Sequence, residues 1–239
     1  MDDVVTRLDV PGTFNFREVA PGVLTPGLLF RSDALNRLTR DGRRSLVDLG
    51  IREAIDLRSG FDRRIGGRDR LRGTGIELLR VPMDGAPHGV DPRTLTLPVV
   101  YAVVLDRHQQ DIGTVIRTIA DAEGGAVVHC TAGKDRTGLV VALLLTALGI
   151  DRDVIVADYA ATAANLSGEW TERMLRKIRR FRVPVTDELI EVLAGSPPDL
   201  MTRTLAELDA RDGGIDGYLS RAGVDDGVKS RLRTRLLAG

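Results

Sequence analysis

Hydrophobic residues recur along this chain in two rhythms, and the change from one to the other outlines its elements. Glu53-Ala54-Ile55-Asp56-Leu57, Ile76-Glu77-Leu78-Leu79-Arg80-Val81 and Gly125-Ala126-Val127-Val128-His129 are short apolar runs with strand character. Brief strands are also predicted around Gly22-Val23-Leu24 and Leu28-Leu29-Phe30, inside an opening stretch rich in Pro and Gly. Between these runs the spacing turns helical. Residues 39–49 carry Leu46 and Leu49 on one face, with Thr39 as N-cap and Gly50 as stop. Helices are predicted over 99–109, over 112–122 and, most apolar of all, over 137–148, closed by Gly149. From Asp151 onward the pattern is helical throughout, over 153–165, 169–181, 186–193, 199–209, 215–222 and 225–237. Gly195, Pro197-Pro198, Gly213-Gly214 and Gly223 supply the breaks, and Asp151 and Thr186 are plausible caps.

Strands alternating with helices predict an α/β fold: a central, mostly parallel sheet flanked by helices, with a helical C-terminal portion (151–239) packed on it. One stretch differs. Pro82, Gly85, Pro87, Gly89, Pro92 and Pro98 punctuate residues 82–98, which predicts a loop or flap, extending as a lid over 82–109 with the helix that follows. No segment is rich enough in Ser, Pro or Gly to demand a second domain, so 1–239 is expected to form one.

Composition narrows the classes. A hydrophobic share of 43% and a formal net charge of zero exclude a disordered chain and a general basic field for nucleic acid. Lysine occurs only at 134, 177 and 229, so the basic residues are almost all arginine. Arg173, Arg176, Lys177, Arg179, Arg180 and Arg182 form a basic helical run, read either as a solvated face or as a contact for acidic lipid or phosphopeptide. The single cysteine, Cys130, excludes an internal disulfide, and the histidines at 88, 108 and 129 show no zinc spacing, so neither metal nor cofactor is expected. The first residues lack a basic and then apolar leader, and the longest apolar run, 138–150, is too short to span a bilayer. The expectation is a cytoplasmic protein, or one exported without a Sec-type signal.

The chemistry lies where strand gives way to helix, at His129-Cys130-Thr131-Ala132-Gly133-Lys134-Asp135-Arg136-Thr137-Gly138. Amide N–H groups in a small-residue loop can point inward, and the following helix adds its positive end, which makes a site for a phosphoryl group. Arg136, six residues after Cys130, can hold two phosphate oxygens while the cysteine attacks along the axis. The same field favours a thiolate over a thiol. A nucleotide-binding Gly-Lys loop is the competitor, and it fails because Val128 stands at its first glycine and Asp135 at its Ser/Thr.

This segment resembles the signature loop of the cysteine-dependent phosphatases, His-Cys-x5-Arg-Ser/Thr. Its Gly-Lys-Asp-Arg-Thr-Gly form is similar to the bacterial tyrosine-phosphatase branch that includes secreted mycobacterial and listerial enzymes. Gly12-Thr13-Phe14-Asn15-Phe16-Arg17-Glu18, Leu29-Phe30-Arg31-Ser32, Asp56-Leu57-Arg58-Ser59 and Asp151-Arg152-Asp153-Val154-Ile155-Val156-Ala157-Asp158-Tyr159 extend the likeness over nearly the whole chain. The resemblance implies Cys130 as nucleophile, Arg136 as phosphate clamp, and Thr137 as a hydrogen-bond partner of the sulfur. Thr131, Ala132, Gly133, Lys134, Asp135 and Arg136 would bind substrate, with Lys134 associated with multiply phosphorylated inositol headgroups. Glu18 departs from the aspartate that relatives commonly carry. His129 is expected to orient the loop through its ring hydrogen bonds, and Arg31 and Arg58 either support the loop or form structural ion pairs.

Two carboxyls compete for the role of general acid: Asp84, at the start of the flap, and Asp135, inside the loop. The expected activity is hydrolysis of phosphomonoesters in proteins, above all phosphotyrosine, and also phosphoserine, phosphothreonine and phosphoinositides, through a phosphocysteine. The competing readings are a non-catalytic module that binds phosphorylated ligands with the same loop, and a sulfurtransferase.

Overall fold

The computed structural model describes residues 6–85, 96–179 and 185–237. Its sheet runs in the order β1-β2-β5-β3-β4, with β1 at Arg17–Glu18, β2 at Leu29–Ser32, β3 at Ile51–Asp56, β4 at Glu77–Arg80 and β5 at Gly125–His129. Only β1 is antiparallel to its neighbour; β2, β5, β3 and β4 pair in parallel. Parallel strands need crossovers that cover both faces, so the central strand should be apolar on both sides. β5 meets that demand, with every residue from Gly125 to His129 buried.

The helices follow the predicted pattern closely. α1 (Arg40–Asp48) is capped by Thr39, whose side chain accepts from the Gly42 amide. α2 (Gly60–Gly66) went unread in the sequence, although Ser59 and Asp62 form a capping box at its start. α3 (Leu97–Arg107) and α4 (Gln109–Asp121) meet at His108, and α5 (Asp135–Leu148) is buried almost all round. Then follow α6 (Arg152–Leu166), α7 (Glu169–Arg179), α8 (Asp187–Ala194), α9 (Pro198–Asp209), α10 (Gly214–Arg221) and α11 (Asp226–Leu236). α9 packs on α6, and α10 and α11 pack on α4 and α5. Thr186 caps α8 through its side chain, whereas Asp151 stands at the N-cap of α6 without a side-chain bond. One apolar core runs from Val19 through α3, α4 and α5 to Leu236. Among the described residues, no helix is long and apolar enough to cross a membrane.

Two expectations need correction. Residues 22–24 form a turn, not a strand: the Val23 and Leu24 amides both bond the Ala20 carbonyl, and Gly22 adopts a positive φ of 78°. The flap read over 82–109 is only partly open to description, because 86–95, with Pro87, Gly89 and Pro92, lie outside the described residues. On either side of them the chain belongs to the core. Met83 is fully buried, and α3 buries Leu97, Val100, Tyr101, Val104 and Leu105. The register pairs Ser32 and Asp56 with His129 on either side, so the carboxyl ends of β2, β5 and β3 lie level. From that edge the loop at Cys130 departs, where ligands enter open parallel sheets.

Candidate active site

Cys130 is buried at the end of β5, and α5 begins at Asp135. The loop between them is held from behind by its carbonyls. The Thr131 carbonyl accepts from the Ala34 amide at 3.3 Å. The Asn15 side-chain amide donates to the Ala132 carbonyl at 2.9 Å and the Gly133 carbonyl at 3.2 Å. Arg31 donates to the Gly133 carbonyl as well, at 2.9 Å. In a trans peptide the C=O and the next N–H point in opposite directions. Fixing three carbonyls outward therefore aims the amides of Ala132, Gly133 and Lys134 the other way.

The brace is itself buried and paired. Arg31 forms an ion pair with Asp158 of α6, both fully buried. Asn15 accepts from Arg17 and from Asn165, and Arg17 donates onward to the Asp158 carbonyl and Thr162. Asp33 accepts from the amides of Phe14 and Asn15 at 2.8 and 2.9 Å, which fixes the bend before β1 that carries Asn15. Burial pushes the Asp33 carboxyl up to about 6 despite those bonds. Gly133 is the point of closest approach: its φ is 67°, and a Cβ there would lie 2.2 Å from the Ser32 carbonyl oxygen.

Arg136 is positioned from outside the loop. One of its terminal nitrogens donates to Asp62 at 2.6 Å and to the Met83 carbonyl at 3.0 Å, and the other reaches the Thr131 hydroxyl at 3.4 Å. Burial works against its charge, but Cys130, Asp62 and Asp135 together outweigh burial and hold its pKa above the ordinary value. Asp62 is depressed in turn: burial opposes its charge, and Arg136 and the Ser59 bonds override that. A thiol-bearing residue, a charged guanidinium and inward-aimed amides thus share one small space. Such a space can bind a phosphoryl dianion and stabilise charge on its oxygens.

The two carboxyls considered as proton donors both stand at this site. Asp135, in the first turn of α5, accepts from the Tyr101 hydroxyl at 3.1 Å and lies 3.4 Å from the Lys134 amine. Asp84 follows Met83, whose carbonyl touches Arg136. Its amide donates to Nε2 of His108, which makes Nδ1 the protonated nitrogen, bonded to Asp111 at 2.7 Å. The Asp84 side chain is exposed.

Two expected contacts are not made in the structure, and Lys134 and Arg58 are engaged away from the phosphate loop's interior. Lys134, expected to bind substrate, is fully buried and donates to the Val192 carbonyl in the last turn of α8 at 2.7 Å. The Thr137 hydroxyl is buried but has no hydrogen-bond partner among the described residues, Cys130 included. The His129 ring nitrogens, expected to be hydrogen-bonded, have none either. The oxygens nearest to them, Asp56 Oδ1 at 3.9 Å and Asp69 Oδ2 at 3.6 Å, are taken by Arg58 at 2.8 Å each. Arg58 therefore supports the strand ends and not the loop, whereas Arg31 forms both an ion pair and a loop contact. Glu18 bonds the Gly27 amide at 2.7 Å, away from the loop.

Asp56, Asp69 and His129 offer ligand atoms within 4.8 Å of one another, the one such group among the described residues. The Arg58 guanidinium already supplies the cation between the two carboxylates. Burial raises Asp69, while at Asp56 the Arg58 hydrogen bonds overcome burial and lower it.

Comparison with known proteins decides the family. The model of the tyrosine phosphatase family matches residues 8–238. The chain belongs to that family. It is 33% identical to the triple specificity protein phosphatase PtpB of Mycobacterium tuberculosis, over 96% of this chain and 98% of that one. A tyrosine-protein phosphatase of Nostoc commune is 31% identical, over 98% of this chain and 88% of its own. Among solved structures, TpbA of P. aeruginosa aligns with a TM-score of 0.40 at 19% identity, over 70% of this chain and 98% of that one. In this tyrosine phosphatase, Asn15, Asp33, Asp62, Tyr101 and Asp158 were given no role in the sequence reading. Asp62 left a signal as the fourth residue of Ser59-x-x-Asp62, and Asn15 and Asp158 lie in segments that carry the family likeness.

Proposed function

We propose that the chain is a metal-independent phosphatase of phosphorylated proteins, with phosphotyrosine as its principal substrate and phosphoserine, phosphothreonine and phosphoinositides within its range. The observation that carries this reading is the outward anchoring of the Thr131, Ala132 and Gly133 carbonyls beside Cys130 and Arg136. One core cluster that joins Val19, ahead of β2, to Leu236 at the end of α11 supports one phosphatase unit.

In the proposed reaction, the Cys130 sulfur attacks phosphorus, the ester P–O bond breaks, and the leaving oxygen takes a proton. Arg136 and the loop amides hold the equatorial oxygens as charge builds on them. Water then attacks the phosphocysteine, the S–P bond breaks, and the sulfur leaves as a thiolate. The unpartnered Thr137 hydroxyl is free to bond that departing sulfur. We assign proton donation to Asp84: it is exposed and follows Met83, whose carbonyl bonds Arg136, while Asp135 is engaged by Tyr101 and Lys134. The loop amides, Arg136 and the side of α7 that carries Arg173 and Lys177 make up the surroundings of the phosphoryl group.

Turnover of phosphotyrosyl, phosphoseryl and phosphoinositide substrates in EDTA tests the reading. Activity should persist with chelator and vanish in Cys130→Ser. Asp84→Asn should slow substrates with poor leaving groups far more than activated aryl phosphates. Turnover by Cys130→Ser would remove the cysteine mechanism, and a leaving-group dependence confined to Asp135→Asn would move the acid to Asp135.

A further inference from the structure

A cavity borders the catalytic loop at Thr131, walled by Phe14, Arg37, Trp170, Arg173 and Lys177. It divides the basic run of α7 in two. Arg176 is exposed and pairs with Glu172 at 3.8 Å, and Arg179 also faces solvent, while Arg180 and Arg182 lie outside the described residues. Arg173 and Lys177, four residues apart on the helix, are half-buried and face the cavity together. Arg173 lies over the Phe14 ring, 5.5 Å from its centre, which fixes the direction of its guanidinium.

Among the described residues, Arg37, Arg173 and Lys177 form no ion pair, although other charged groups line the same space. Asp33 is bound to the Phe14 and Asn15 amides, and Asp62 is bound to Ser59 and Arg136. Arg58 is saturated by Asp56 and Asp69. Among the described residues, three cations therefore remain without a counter-anion, beside the Phe14 and Trp170 rings and next to the loop that holds the phosphoryl group.

We propose that this cavity is a specificity subsite for a carboxylate side chain neighbouring the phosphorylated residue of a protein substrate. The inference rests on the phosphatase reading, since it takes the phosphorylated residue to occupy the loop. Cavity size and lining select the ligand. A volume of about 50 Å³ holds a few water molecules, and hence a carboxylate. Phe14, Trp170 and Met174 also offer contact to the methylene stem of a glutamate.

The test is equilibrium binding of phosphotyrosyl peptides to the Cys130→Ser chain, with glutamate or alanine placed at each neighbouring position in turn. One position should favour glutamate by about fivefold, the upper end for a partly exposed charge contact, and high salt should compress that ratio. Lys177→Glu and Arg173→Glu should each bring the ratio to one or below, and their melting curves report whether they fold. The proposal fails if no position favours glutamate, or if the preference survives both variants. It fails equally if the variants weaken binding to phosphoinositide vesicles and leave the peptide ratio unchanged. Hydrolysis of an aryl phosphate by the unaltered chain reports separately on the phosphatase reading: absent turnover with the glutamate ratio intact would sink that reading and uphold the subsite.

Discussion

Replacing Asn15 by alanine removes one buried amide that serves two loop carbonyls, lying 117 and 118 residues further along the chain. It also removes the oxygen that accepts from Arg17 and Asn165. Lost hydrogen bonds and newly unsatisfied buried groups should together cost about 2–4 kcal/mol of stability. The catalytic effect is separate. Arg31 still holds the Gly133 carbonyl, so the Lys134 amide keeps its aim. The peptide between Ala132 and Gly133 does not, and the Gly133 amide can turn away. Losing one aligned donor to a developing oxyanion costs about 10²–10³ in kcat, and partial misalignment should give roughly hundredfold. Steady-state turnover of an aryl phosphate, vanadate inhibition and a melting curve would be measured on the same preparation. Turnover and vanadate inhibition should weaken by the same factor, because both read the loop in its transition-state geometry. A folded Asn15→Ala chain with wild-type kcat and vanadate affinity would refute the carbonyl-brace argument.

Asp33 predicts a pH signature. Its folded value, about 6, exceeds the ordinary 3.8, so its contribution to stability is full below pH 3.8 and is lost as pH rises through 6. The wild type should gain on the order of 3 kcal/mol relative to Asp33→Asn between pH 7 and pH 4, and a flat difference in denaturation midpoint would contradict the assignment. Gly133→Ala should abolish turnover, because its Cβ meets the Ser32 carbonyl and its φ is positive; a crystal of an active variant with an undisturbed loop would disprove that.

Much of the fold was legible because it is written locally. Val127-Val128 needs burial on both faces, Thr39 and Thr186 cap helices a few residues away, and Gly149 stops α5 in the left-handed region. The spacing of Cys130 and Arg136 was equally visible. What remained hidden was pairing across distance. Asn15 with Ala132, Arg31 with Asp158 and Arg136 with Asp62 join residues far apart in sequence, and no residue type announces its partner. Arg31 and Arg58 look alike as Arg-Ser at strand ends; only the register, which sets Arg31 next to β5 and turns Arg58 toward Asp69, separates their roles. α2 escaped because its charged surface, with Phe61 exposed, offers no buried stripe.

Asp62 has a further consequence. A free arginine side chain carries about 2 kcal/mol of rotamer entropy, which a phosphoryl ligand would otherwise have to quench on arrival. Here Asp62 and the Met83 carbonyl hold Arg136 from within the fold, so that ordering has already been met during folding. One nitrogen is occupied by those anchors, and the remaining edge of the guanidinium is presented in a fixed plane. Affinity for small anions then depends little on the rest of the substrate, so selectivity among substrates has to arise from groups other than the phosphate itself.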